Sequence, residues 1–435
     1  MKLIKRFKVY ASIVGLFFLA AGCGSSASTS SAKVSINVWG LFDTNSTFQT
    51  DFVAAYQKKY PNVKITYTEK NVATYETDLI NAMAAGTGPD IFYIHNDWLP
   101  TYKDKIQPAT VKEWAVSDYG NSFADVASKD FISAGQVYAV PLSIDTLVLY
   151  YNKDILGSFG IAEPPKTWSE LSTDTQKIAE KNTNGYFNRS GIALGTTANI
   201  NRAQDIMYLL MLQSGTTPFN SDNTRSTIDQ AIQNSSGNNI FPGATALNYY
   251  TSFSNSLSKA YNWNTQSDYS LDAFANGKLA MMYGYYYDET TILQKSPNLN
   301  FGIAPVPQPA LDQNLVNYSN YWGYTVSKQS KNANWDWDFL KFISANTQLE
   351  AYNKTNPQPS SRKDIIAEQV VDTKLGVVAS STLTAKSFYK PDAAQTDSII
   401  TNMIDDVSLR DKTITVALSS ASQQLTVLAS KQNSN

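Results

Sequence analysis

The chain reads as an α/β protein of two domains, on three observations. Strand-like and helix-like stretches alternate along it. Once a leader segment is set aside, about 400 residues remain, and a chain of that size with 43% apolar content builds two hydrophobic cores rather than one. No fixed-period repeat is visible, which sets aside solenoids and propellers.

The elements follow in order. Val34 to Trp39 alternates apolar and polar residues, the mark of a half-buried strand. Phe48, Phe52, Ala55, Tyr56 and Tyr60 recur at helical spacing, and Pro61 stops that helix. Val63 to Tyr67 is a second alternating strand, and Thr74 to Ala85 a helix ended by Gly86. Asp90 to Ile94 is a short buried strand, with His95, Asn96, Asp97 and Trp98 emerging from its end. Val137 to Val140 and Leu147 to Tyr151 are extended. Thr167-Trp168-Ser169-Glu170 is a capping box, in which Thr167 accepts from the Glu170 backbone and Glu170 reaches back. The polar stretch 213–240 reads as a surface loop or hairpin. Ala280 to Tyr287, Phe301 to Val306 and Tyr324 to Val326 are predicted strands. Trp335 to Ser344 is a predicted helix that buries Trp335, Phe339, Phe342 and Ile343, and Asp397 to Ser430 is two helices broken near Ser408 to Lys412.

The leader announces export. Lys2, Lys5, Arg6 and Lys8 precede an apolar run from Val9 to Ala21, and small residues close it. That run is too short to span a bilayer, which takes roughly 20 residues. Leu19-Ala20-Ala21-Gly22-Cys23-Gly24 resembles the lipobox of bacterial lipoproteins, in which the cysteine is acylated, although its Leu sits one place early. The alternative is an ordinary signal peptide in which Cys23 falls by chance. The expectation is a signal peptide over 1–22, lipidation at Cys23, a flexible tether over 23–32 and a place on the outer face of the cell membrane. Cys23 is the only cysteine, which excludes an intrachain disulfide, a cysteine nucleophile elsewhere and a cysteine-based metal site.

Without the leader's four cations, 31 of the 35 Lys+Arg face 37 Asp+Glu, a net charge of −6. No basic run appears, so nucleic acid is not an expected partner. Tyr is abundant at 26, which fits either a Tyr-rich core or an aromatic-lined pocket.

Four stretches, in order, carry a resemblance. They are Gly86-Thr87-Gly88-Pro89-Asp90-Ile91-Phe92; Gly135 to Leu142 with Asp145 and Leu149 to Asp154, followed by Pro165-Lys166-Thr167-Trp168; Phe274 to Met282; and Phe301 to Pro307. Together, over roughly residues 34–430, they resemble the family 1 extracellular solute-binding proteins, the group that includes maltose-binding protein. The resemblance implies a two-lobed periplasmic-binding-protein-like fold of type II with a ligand cleft between discontinuous lobes. Residues 33–144 plus 306–347 would form the first lobe and 145–305 plus 348–435 the second. The crossings would lie near Pro141–Thr146, Pro305–Pro307 and Asn346–Tyr352. It also implies a monomer without a cofactor that captures a small-molecule solute, a carbohydrate, and delivers it to the transmembrane subunits of an ABC permease. Polyols and glycerophosphodiesters are the other solutes that fit.

Candidate site residues come from strand ends and from this resemblance. Asp97 and Trp98 lie beyond the carboxyl edge of a strand, where open α/β sheets bind ligands. The resemblance places Asp145 at the first crossing, facing the cleft, where it would accept from sugar hydroxyls or cap a local turn. It puts an aromatic residue, Tyr285 or Tyr286, against a sugar ring, with Tyr286 favoured. It also suggests Trp322, and Trp39 with Asp43 at the end of the first strand. Arg362, after Pro359-Ser360-Ser361, would reach a ligand hydroxyl or pair with an acid between the lobes.

Catalysis finds little support. A glycosidase needs one carboxylic acid and one carboxylate held at fixed separation, whereas Asp405-Asp406 and Asp288-Glu289 are adjacent and diverge. His95 is the only histidine, so neither a histidine metal site nor a GxSxG-type triad is supported. The expectation is a binder and not an enzyme.

Overall fold

The computed structural model describes residues 32–311 and 314–432. The leader, Cys23 and most of the tether lie outside the described residues. Among those described, no helix is long and apolar enough to cross a membrane.

Two hydrophobic cores form, each around a five-stranded sheet. In the first, the strand order is Val63–Glu69, Val34–Gly40, Ile91–His95, Trp322–Val326, Val140–Pro141. The first three run parallel, as βαβ units do, and Trp322–Val326 returns antiparallel from far along the chain. In the second the order is Phe301–Ala304, Val148–Asn152, Leu279–Gly284, Phe187–Ile192, Glu180–Lys181. A smaller sheet of Ala385–Lys386, Asn317–Asn320 and Asp145–Thr146 collects the segments that pass between the cores.

Local chemistry accounts for most boundaries. The capping box at Thr167 and Glu170 is formed with both of its hydrogen bonds. Asn152 caps the helix that follows the strand Val148–Asn152, and Asp392 caps the helix Ala393–Ser408 through the Gln395 backbone. The last segment is two helices, Ala393–Ser408 and Ile414–Gln432, and 213–240 contains a short hairpin pairing Ile232–Gln233 with Asn239–Ile240. Gly40 is required where it stands: a Cβ there would fall 2.2 Å from the Tyr67 hydroxyl, which donates to the Asp43 carbonyl.

Three expectations change. The strand predicted to reach Tyr287 ends at Gly284, because the Asp288 carboxylate accepts from the Tyr285 backbone N–H and turns the chain. In the helix Ala333–Ile343 the fully buried side chains include Trp337 and Leu340, while Trp335 and Phe342 are half-buried beside Tyr60 and Tyr56. Residues 346–352, read from sequence as a crossing, begin the helix Asn346–Thr355. Its Leu349 and Tyr352 pack in the first core, as do Ile365 and Ile366, whereas Val306 and Tyr318 pack in the second.

The helix Ala333–Ile343 also holds a fully buried carboxylate. Asp336 accepts from Ser330 Oγ at 2.5 Å through one oxygen, and its other oxygen has no hydrogen-bond partner among the described residues. Burial pushes this carboxyl up to about 7. A folded-state value above the unfolded one means stability that is present below about pH 4 and is lost as pH rises towards 7. Asp336→Asn should therefore be less sensitive to this change: between pH 5 and 7.5 it should lose about 2 kcal/mol less unfolding free energy than the wild type, at about 1.4 kcal/mol per pH unit. Urea titrations at the two pH values measure this, and equal losses would show that Asp336 is ionised throughout.

Candidate ligand site between the lobes

The carboxyl end of the strand Ile91–His95 carries an aromatic wall. Tyr75 fixes it from the helix Tyr75–Ala84: its hydroxyl donates to the Tyr93 carbonyl and accepts from the Tyr93 N–H, both at 2.8 Å, so it satisfies a stretch of strand edge that lacks a neighbour. Trp98 lies parallel to both Tyr102, at 5.1 Å between centroids, and Tyr75, at 6.3 Å. Trp322 meets Trp98 edge-on at 5.1 Å and His95 at the same distance. Phe42, 61% exposed, packs edge-on against Trp322.

Facing this wall, the second lobe contributes the start of the helix Ala203–Gln213 and the start of the helix Ala393–Ser408. Between the two lies a cavity of about 300 Å³, lined from the first lobe by Glu76, His95, Asp97, Trp98 and Tyr102, and from the second by Arg202, Asp205, Lys390, Asp392 and Asp397.

A buried charge network closes the floor. Lys390, 3% exposed, donates to Asp97 of the first lobe at 2.9 Å and to Asp397 of the second at 2.8 Å, with its ammonium over the Tyr208 ring. Asp97 also holds His95 Nδ1 at 2.5 Å, and His95 Nε2 meets Asn320 at 3.0 Å. Burial opposes the charge on each group, but the partners prevail. His95 and Lys390 hold Asp97 well below the usual carboxylate range, and Asp97 in turn raises His95. On the far side of Asp97 and Lys390 a second space of about 550 Å³ opens between the lobes.

The sequence-predicted residues separate into two groups. Asp97 and Trp98 line the cavity, and Trp322 packs against Trp98. Tyr285 is fully buried just behind, its hydroxyl donating to Asp205 at 2.9 Å. The others are engaged elsewhere. Both Asp145 oxygens accept backbone N–H groups, from Thr146 and Tyr286 through Oδ1 and from Tyr287 through Oδ2. Asp145 thus pins the turn after Gly284 to the crossing strand, and burial lifts its carboxyl to about 7 despite those donors. Tyr286 packs on the second core and does not line the cavity; Tyr287, 45% exposed, is the outward residue. Side-chain alternation along a strand does not decide between Tyr285 and Tyr286, because the strand has already ended at Gly284. Trp39 lies under Lys70 at 4.2 Å, Asp43 is buried against the Tyr352 hydroxyl, and Arg362 is forked onto Asp364 and donates to the Ser344 carbonyl.

Sequence reasoning missed Glu76, Tyr102, Arg202, Asp205, Lys390, Asp392 and Asp397. Lys390-Pro391-Asp392 does carry a helix-start signature, with a capping Asp next to Pro. Nothing local to it indicates that this helix begins at the cleft.

A profile of the family "Bacterial extracellular solute-binding protein" matches residues 41–350. The chain is 24% identical over 362 residues to the maltodextrin-binding protein MdxE of Bacillus subtilis, 80% of each chain. It spans 66% of the length of the Brucella relatives it matches, at 24% identity. Two solved structures share the two-lobed fold. The cyclic alpha-maltosyl-1,6-maltose binding protein of Arthrobacter globiformis gives a TM-score of 0.76 at 20% identity, over 92% of this chain and 100% of that one. The sugar-binding protein MalE of Xanthomonas citri gives 0.73 at 17% identity, over 92% and 98%. With the family match running through both lobes and the cavity lying where they meet, this chain belongs to the bacterial extracellular solute-binding protein family.

Proposed function

We propose that the protein captures a carbohydrate in the cavity between its lobes and delivers it to the membrane subunits of an ABC importer. The observation that carries this reading is the pairing of a flat aromatic wall, Trp98 backed by Tyr75, Tyr102 and Trp322, with carboxylates and a guanidinium across a space of about 300 Å³. A sugar ring has the matching division: C–H faces that stack on aromatic rings, and a rim of hydroxyls that donate and accept. The names of relatives support it, since they include the maltodextrin-binding protein and a galactooligosaccharide-binding protein of Bacillus subtilis.

The lobes would close on the solute by rotation about the small three-stranded sheet between the cores. The solute favours the closed form only by its differential affinity for it. The protein would act as a monomer, without a cofactor, and release its solute chemically unchanged. The leader and Cys23 support a lipid anchor on the outer face of the membrane, two or three acyl chains holding a soluble body at about 0.8 kcal/mol per buried methylene.

A thermal-shift screen over mono- and oligosaccharides tests the reading. At least one neutral saccharide should raise the thermal midpoint and be recovered intact. Shifts given only by polyols or glycerophosphodiesters would replace "carbohydrate" with that class, and shortened products would point to an enzyme. Trp98→Ala should weaken the best saccharide at least tenfold by calorimetric titration, since stacking and the burial that goes with it are both lost. Unchanged affinity would remove the aromatic wall from the site. Cys23→Ser should move the protein from the membrane fraction to the medium, and continued membrane fractionation would end the lipoprotein reading.

A further inference from the structure

Arg202 is the residue just before the helix Ala203–Gln213, and its backbone sits at φ 59°, ψ 37°. That left-handed region suits glycine and is uncommon for a long side chain. The side chain does not cap the helix. A glycine would hold the same turn without strain, so the backbone gives no reason for an arginine here. The reason lies in where the guanidinium goes.

Arg202 lines the cavity between the lobes. Its guanidinium lies 5.7 Å from the Tyr285 ring centroid and 5.9 Å from that of Tyr287, two rings that stack on each other. Nη2 donates to the Tyr287 hydroxyl at 2.5 Å, the one hydrogen bond this side chain makes among the described residues. A guanidinium has five N–H donors in a fixed fork, so most remain available. Asp205, in the first turn of the helix that Arg202 precedes, also lines the cavity. Its Oδ2 accepts from the Tyr285 hydroxyl, and its Oδ1 has no hydrogen-bond partner among the described residues. Lys390, the other strong cation in the lining, is already engaged by two carboxylates.

We propose that Arg202 is a specificity-determining ligand contact, and that with Asp205 it reads two neighbouring hydroxyls of a neutral saccharide. The guanidinium donates to one sugar oxygen while the free oxygen of Asp205 accepts from the next hydroxyl. Tyr285 and Tyr287 hold both side chains in register. Among the described residues, five carboxylates (Glu76, Asp97, Asp205, Asp392 and Asp397) line the cavity against two cations, Arg202 and Lys390, and Lys390 is already held by Asp97 and Asp397, so an acidic sugar would meet net repulsion. This assignment rests on the carbohydrate reading above and names which hydroxyl pattern the site selects.

The test compares wild type, Arg202→Gly and Arg202→Lys by calorimetric titration with maltotetraose, a galactooligosaccharide and diacetylchitobiose, and with trigalacturonate as the acidic counterpart. Thermal midpoints are measured without sugar. Arg202→Gly should weaken the best neutral saccharide at least tenfold while the midpoint moves by no more than about 3 °C, because relief of the left-handed strain offsets the added chain entropy. Arg202→Lys restores the charge but not the fork, so it should stay at least threefold weaker than wild type. Unchanged affinity in Arg202→Gly overturns the proposal. So does a much larger fall in midpoint with an affinity loss in proportion, which would assign Arg202 to the scaffold. Tighter binding of trigalacturonate than of every neutral sugar overturns it as well. A wild-type protein that binds none of the four and no saccharide of the thermal-shift screen is a different failure: it removes the carbohydrate reading and this assignment with it.

Discussion

Lys390 is buried between two lobes, and a buried ammonium is tolerated only where carboxylates and hydrogen bonds replace its water. Asp97 comes to it from the end of a first-lobe strand and Asp397 from a second-lobe helix. Such a network adds little to stability compared with apolar packing of the same volume, but it is strict about geometry. Asp97 can meet Lys390 only with the lobes at this separation, and Asp97 in turn sets the orientation of His95. In this arrangement of the lobes the cavity, its aromatic wall and its second-lobe face are held at the distance that the charges set, and opening would part Asp97 from Lys390.

The two faces of the cavity use different chemistry for a physical reason. On the first lobe, parallel strands end together, and the space beyond their carboxyl edge is covered by rings: Trp98, Tyr102, Trp322 and Tyr75 bracing one another. Rings are stiff and lose little entropy on meeting a ligand, so this face is formed in advance. On the second lobe, helix starts supply Arg202, Asp205 and Asp392. Their guanidinium and carboxylate groups are directional hydrogen-bonding partners, and the proposed selection among hydroxyls would fall to them.

Asp145 links these faces to the crossing strands. By taking backbone N–H groups from Thr146, Tyr286 and Tyr287 it joins the small central sheet to the turn that presents Tyr285 and Tyr287. Any rotation about that sheet would carry this turn, and the guanidinium resting on it, with the second lobe. Asp145 would then act on a ligand through the groups it positions rather than by contact.

The chain by itself determined the α/β class, the positions of most strands and helices, the Thr167 capping box, the split of the last segment into two helices and the family resemblance. These depend on period, capping and turn chemistry, which are local. It also put Asp97 and Trp98, which line the cavity, beyond a strand's carboxyl end, because that end can be placed from the strand alone. Only the tertiary structure decided the rest. Residues 346–366 join the first core, the strand after Phe274 stops at Gly284, and Tyr286 turns onto the core while Tyr287 faces out. Asp43, Asp145 and Arg362 are engaged by partners distant in sequence or by backbone groups. Arg202, Asp205, Lys390 and Asp397 come from segments nearly 200 residues apart that no spacing rule connects. A charge's role is set by what lies within a few ångströms of it, and in a fold whose chain passes repeatedly between two lobes that is information the local sequence does not hold.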